Sequence, residues 1–157
     1  MPRKKLHPLE KYTSGPLTGA FADGSYSSKL KIGGWAMVYV EDNKLILERR
    51  GIEEETTSNR MELKALIVAI KSVPKSKSVT IYTDSQYCVS TFNEWLLKWA
   101  KQGWKLKEDG EIKNLNLVKQ LYTLKLKYSN IKVQWIRSHA GNRWNEYCNW
   151  LAQSYLR

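Results

Sequence analysis

Val79-Thr80-Ile81-Tyr82-Thr83 is a short β-branched and apolar run that stops on Asp84-Ser85. A run of this length without a polar face reads as a strand buried on both sides, which requires helices above and below it. The flanking patterns supply them. Ser58–Val73 has a helical period and ends at Pro74, and further helical segments are expected at about Gln86–Lys101, Leu115–Tyr128 and Asn142–Leu156. Ile131–Arg137 reads as another strand. Upstream, Thr18–Tyr26 reads as a strand, Gly33-Gly34 as a turn into Trp35–Glu41, and Asp42-Asn43-Lys44 as a tight connection into Leu45–Gly51. The order βββαβαβα describes an α/β domain with a five-stranded mixed sheet and helices on both faces.

The chain has 157 residues, one domain's worth, and a net charge of +11 that makes nucleic acid and anionic membrane the first partners to consider. No 18-residue apolar run is present, which removes a membrane span, and no apolar stretch follows Met1-Pro2-Arg3-Lys4-Lys5. An intracellular, cytoplasmic monomer is the expectation. Cys88 and Cys148 are far apart and read as reduced and structural. Residues 1–17, with Arg3, Lys4, Lys5 and Lys11 among three prolines, show no period and are expected to be a basic extension, either a solvated tail or a nucleic-acid arm, ahead of a domain over 18–157.

Three acidic residues stand out, each with an ordinary alternative. Asp23 precedes Gly24 and Ser25 near the end of the first strand, where a chain can approach a ligand closely or simply turn. Glu62 projects beside Leu66 and Ala69, away from Arg60, Lys64 and Lys71; a carboxylate facing a sheet must accept hydrogen bonds, meet a cation or bind a metal. It could instead close a capping box on Asn59. Asp84 ends the central strand, where ligands gather in α/β sheets, or caps the next helix. Spacing alone does not bring the three together. Between Phe92 and Asn114, Trp95, Trp99 and Trp104 interleave with Lys98, Lys101, Lys105 and Lys107, a composition suited to phosphate and sugar, with Glu108, Asp109 and Glu111 diluting the charge. The tryptophans can also be core, and that is the expectation for Trp99 and Trp104.

Phe21-Ala22-Asp23-Gly24-Ser25, Ser58-Asn59-Arg60-Met61-Glu62-Leu63, Ile81-Tyr82-Thr83-Asp84-Ser85-Gln86 and Ser138-His139-Ala140-Gly141 occur in that order, and over about residues 18–157 the chain resembles ribonuclease H of type 1. The resemblance implies a ribonuclease H-like fold and endonucleolytic cleavage of the RNA strand of RNA/DNA hybrids. It also implies that Asp23, Glu62 and Asp84 converge to hold two Mg²⁺ ions, with Mn²⁺ as substitute, for an in-line displacement at phosphorus. By the same likeness His139 is a mobile proton-transfer group. Ser58, Asn59 and Gln86 face the RNA strand, Thr57 a phosphate on the DNA side, and Trp95 the DNA channel, with Gly24 and Ser25 also among the substrate-binding residues. Lys98, Lys101 and Lys105 belong to a basic protrusion.

The family's fourth acidic position, ten residues after His139, is Asn149. Its amide can offer a carbonyl oxygen but no charge, and a unit charge pair at 4 Å is worth about 4 kcal/mol at an effective dielectric of 20. The resemblance therefore implies a metal site with a weakened fourth ligand and an activity attenuated or disabled. Two alternatives remain open: a hybrid-binding protein without turnover, and a DNA polynucleotidyl transferase or resolvase of the same fold, against which Thr83-Asp84-Ser85-Gln86 and His139-Ala140-Gly141 argue.

Overall fold

A computed structural model describes residues 5–106 and 110–157, so the readings for Arg3, Lys4, Lys107, Glu108 and Asp109 lie outside the described residues. Three antiparallel strands, β1 (Gly19–Ser27), β2 (Ile32–Glu41) and β3 (Lys44–Glu54), form a meander. Two more, β4 (Val79–Thr83) and β5 (Ile131–Trp135), join parallel to β1 and to each other, giving the order β3-β2-β1-β4-β5. The expected mixed sheet is thus present, with β4 next to the centre and its Val79, Ile81 and Thr83 buried.

Strand alternation divides the core into two layers. Ala20, Ala22, Met37 and Tyr39 meet α2 (Ser58–Ser72) and α5 (Leu115–Lys127) on one face, whereas Phe21, Ala36, Val38 and Val40 meet Trp144, Cys148 and Leu151 of α6 (Arg143–Ala152) on the other. A short helix, α1 (Pro8–Lys11), lies against α6. Among the described residues no helix is long and apolar enough to cross a membrane.

Four local readings change. Gly33 and Gly34 are not a turn but part of β2, and the reversal falls before them at residues 28–31. A side chain at Gly34 would stand 2.0 Å from the Ala152 carbonyl oxygen, so glycine is there because the end of α6 presses on the strand. The segment expected as one helix over Gln86–Lys101 consists of α3 (Gln86–Ser90), a π-helical turn at Thr91–Trp95 and α4 (Leu96–Lys101). The last helix stops at Ala152 and is followed by a 3₁₀ turn, Ser154–Leu156. Residues 5–17, expected to lack a period, contain α1 and pack on the domain rather than trailing into solvent, because Pro8 is buried and Leu9 joins the α6 layer.

Candidate active site

Asp23 lies in the middle of β1, opposite Ala36 of β2, and is 2% exposed. A mid-strand position excludes the turn reading. Alternation turns its side chain to the Phe21 face, toward α6. The next residue explains how a helix reaches it from the other side: a side chain at Gly24 would stand 2.4 Å from the Glu62 backbone nitrogen, so glycine lets the first turns of α2 close onto the strand. Glu62 is consequently buried, at 9% exposure. The capping-box alternative also falls. Thr57 is the N-cap, its Oγ1 accepting from the Arg60 N–H at 3.2 Å, which leaves Glu62 beyond the first turn and free of a capping role. Asp84 follows the last residue of β4, and the adjoining Ser85, not Asp84, caps α3 by accepting from the Cys88 N–H.

One carboxylate oxygen from each of Asp23, Glu62 and Asp84 lies within 4.8 Å of the others. No lysine or arginine partner appears in a salt bridge with them among the described residues. Asp23 accepts from the Gly24 N–H at 3.0 Å and from the Asn149 amide at 2.8 Å, but Glu62 keeps a buried Oε2 without any hydrogen-bond partner. Burial followed by the Asp84 charge pushes Asp23 up from 3.8 to about 7, with the Asn149 bond opposing. Burial, then the charges of Asp23 and Asp84, hold Glu62 well above the carboxylate range. Asp84 is also raised by burial, against the lowering effects of Asn145 and of the His139 charge.

An orphaned buried carboxylate oxygen in a cluster of repelling acids is costly without a cation. Mg²⁺ holds oxygens at about 2.1 Å, so oxygens around one ion stand up to about 4.2 Å apart, and the three oxygens here lie within 4.8 Å of one another. The donor set is all hard oxygen. Asp23, Glu62 and Asp84 therefore fit a divalent cation.

The remaining expected residues surround this cluster unevenly. Asn149 adjoins Asp23 but presents its NH₂ as donor, so it holds the acid rather than adding an oxygen to the set. His139 is exposed, in the left-handed region at φ 52°, on the loop between β5 and α6. Ser25 Oγ is 2.7 Å from the Tyr155 hydroxyl. Thr57, Ser58 and Asn59 line a 440 Å³ concavity with Lys113 and Asn114. Gln86 is exposed at the start of α3. Trp95 is half-buried between Tyr87 and Trp99, while Lys98, Lys101 and Lys105 are exposed. Trp99 and Trp104 pack against the core as expected.

Two participants escape a reading of the acids alone. Asn145 is 2% exposed, lowers Asp84 and has a buried Oδ1 without a partner. Its place one helical turn before Asn149 is the signal that could have found it. Asn114, at the start of α5, donates to the Tyr87 hydroxyl and accepts from Arg60, tying three helices together at the Thr57 concavity.

A five-stranded mixed sheet with an acidic cluster where β1, β4 and α2 meet is a site able to hold a divalent cation, and comparison with known proteins specifies the family. Residues 18–157 match the RNase H family model, and the chain belongs to that family. It is 37% identical over 139 residues to Ribonuclease H of Caldicellulosiruptor saccharolyticus, covering 87% of this chain and 94% of the relative. Ribonuclease H of Francisella philomiragia is 38% identical over 137 residues, covering 87% and 89%. Among solved structures, LC9-RNase H1, described as a type 1 RNase H with the type 2 active-site motif, is similar at 27% identity and a TM-score of 0.68, over 89% of this chain and 72% of that one. The foamy viral protease-reverse transcriptase in complex with RNA/DNA hybrid shares the fold at 21% identity and a TM-score of 0.77, over 97% of this chain and 21% of that one.

Proposed function

We propose that this chain is an endonuclease that hydrolyses the RNA strand of RNA/DNA hybrids, acting as a monomer with Mg²⁺, or Mn²⁺ in its place, held by Asp23, Glu62 and Asp84. The observation that carries the proposal is the convergence of these three acids, distant in sequence, with a buried Glu62 oxygen left without a partner. When bound, a pair of divalent ions supplies activation of water and stabilisation of the leaving oxygen in an in-line displacement at phosphorus.

The chain's own groups do the rest. Gly24 lets α2 close onto β1 and so brings Ser58 and Asn59 near the acids, and the polar side chains of Ser58, Asn59 and Gln86 are suited to 2′-hydroxyls, the feature that separates RNA from DNA. The concavity at Thr57 takes a phosphate of the DNA strand, with Lys113 as its cation. Trp95 offers an apolar wall to the sugar-base edge, and Lys98, Lys101 and Lys105 hold phosphates through interactions that weaken with salt. His139, exposed beside Asp84, moves a proton at the departing 3′ oxygen. Asn149 attenuates the reaction. It contributes no charge to the site, yet its amide bond favours the ionised form of Asp23, so the three acids retain their function at a higher demand for metal.

Matched RNA/DNA, RNA/RNA and DNA/DNA duplexes with labelled strands test this reading in Mg²⁺ and in Mn²⁺. Internal cuts confined to the RNA of the hybrid, leaving 5′-phosphate and 3′-hydroxyl ends, are expected. Selective hybrid binding without a cut in either metal would favour the non-catalytic alternative, and cuts in DNA duplex would favour the transferase or resolvase reading.

A further inference from the structure

The segment before the first strand makes a set of long-range bonds that converge on the start of α6. Arg143, its first residue, donates through Nη1 to the Leu9 carbonyl at 2.7 Å and to the Tyr12 carbonyl at 3.0 Å. The Arg143 N–H donates to the Ser14 carbonyl at 2.8 Å, and Ser14 Oγ donates to the Gly141 carbonyl at 2.9 Å. Ser14 and Asn142 thereby pair as a parallel bridge.

The segment itself is pinned at its other end. His7 caps α1, accepting from the Leu9 N–H, while Glu10 reaches back to the His7 N–H. The His7 ring stands edge-on to Trp150 of α6 at 4.6 Å between centroids, and Pro8 is buried beneath it.

These contacts bracket the groups that face the acids. The loop from β5 to α6 is held at its start by the Ile136 N–H donating to Thr83, and at its end by Ser14 and Arg143. Its middle residues, Arg137 to Ala140, are exposed, so little packing restrains His139 between those anchors. Asn145 and Asn149 follow on α6, whose first turn carries the same anchors. Guanidinium bonds to carbonyls are charge-assisted and stronger than neutral ones, which suits an anchor at the edge of a site.

We infer that Pro8–Ser14 is an intrachain brace for the catalytic loop, with Arg143 and Ser14 as positioning residues that fix His139 and the register of α6 against Asp23 and Asp84. The inference rests on the ribonuclease reading for its effect on turnover, but the brace itself is a property of the chain without substrate. Neither residue touches the acidic cluster in the bonds described, so both act through the loop and the helix.

Arg143→Met keeps the aliphatic stem and removes both guanidinium bonds, Arg143→Lys restores a cation of similar reach, and Ser14→Ala removes only the hydroxyl bond. Amide hydrogen exchange on the full chain, without substrate, is read alongside kcat, KM and Tm. Arg143→Met is expected to speed exchange at the Arg143 and Glu146 amides, which donate to Ser14 and Asn142, while leaving β4 and the centre of α2 unchanged. It should lower kcat about ten- to a hundred-fold, the scale of a misplaced catalytic group, with KM nearly unaltered. Arg143→Lys should recover part of kcat. Ser14→Ala should shift the same amides by less, and it replaces Arg143→Met if that variant does not fold. Unchanged exchange at the Arg143 and Glu146 amides, or a lower Tm with kcat intact well below it, would overturn the brace. Absence of hybrid cleavage by the unaltered chain would sink the ribonuclease reading instead, and the exchange profile would still decide whether the brace exists.

Discussion

The two ends of the sheet both carry carboxylates, and they treat them in opposite ways. At the end near the β2–β3 turn, Glu41 accepts from Lys77 and from the Tyr39 hydroxyl, is only partly buried, and is held below its ordinary value chiefly by the Lys77 bond. Where β4 ends, Asp23 and Glu62 are buried beside Asp84, have no Lys or Arg salt-bridge partner among the described residues, and are raised chiefly by burial. A partly exposed paired acid is ordinary surface chemistry. A buried cluster of unpaired acids is destabilising in isolation and persists where a cation or a reaction uses it.

Breaking the buried cluster should have the largest consequence. Asp23→Asn or Glu62→Gln is expected to lower hydrolysis about a hundred- to a thousand-fold, the scale of removing a charge-stabilising group from an active site. The metal-free variants should be at least as stable as the parent, because a repelling, desolvated charge is gone. Steady-state cleavage and denaturant melts in a chelator check the two halves.

Asn149→Asp sharpens the contrast by adding a fourth acid. Hydrolysis should rise about ten-fold at limiting Mg²⁺, and less at saturation, once solvent competition has reduced the ion-charge energy. The metal-free variant should melt earlier, since a second carboxylate replaces the amide that now donates to Asp23 at 2.8 Å. A Mg²⁺ titration of the rate reads this directly.

The pH dependence of metal-free stability should carry opposite signs at the two ends. Asp23 has a folded value of about 7 against an ordinary 3.8, and Glu62 and Asp84 are raised as well. The folded state then holds more protons than the unfolded one, so these groups make stability fall as pH rises from near 4 through about 7. Glu41 is lowered, so its contribution is present above the ordinary value of 4.5 and lost on acidification. Melts in a chelator should therefore decline from near pH 4 to about 7, and Asp23→Asn should flatten the decline. Glu41→Gln is the smallest change expected: cleavage unaltered and Tm nearly so, as for exposed ion pairs generally.

The same contrast marks what the sequence discloses. The helices α2 and α5 and the strand β4 were legible because their apolar spacing is set by the core they face. Gly33-Gly34 was misread because local turn chemistry says nothing about Met61 and Ala152, which need the missing side chains. The π-helical turn at Thr91–Trp95 has no periodic signature over so short a span. Nor could composition foresee that Arg143 would gather carbonyls from Leu9 and Tyr12 and hold that segment against α6. At the site, each acid alone had an ordinary explanation, and only the ordered motifs pointed to their meeting. Asn145 was missed because an asparagine in a helix carries no charge to draw notice, although it lies one turn from Asn149.

The central claim, that Asp23, Glu62 and Asp84 form a divalent-metal site, is tested most directly by the melting temperature as a function of Mg²⁺ or Mn²⁺, without nucleic acid, for the parent and for Glu62→Gln. A ligand bound only by the folded state stabilises by about 2.7 kcal/mol at a hundred times its Kd. The parent should rise steadily with metal and Glu62→Gln should respond weakly, although it starts from an equal or higher temperature. A parent that does not respond to either ion, or a Glu62→Gln variant that rises as much at the same concentrations, would contradict the account.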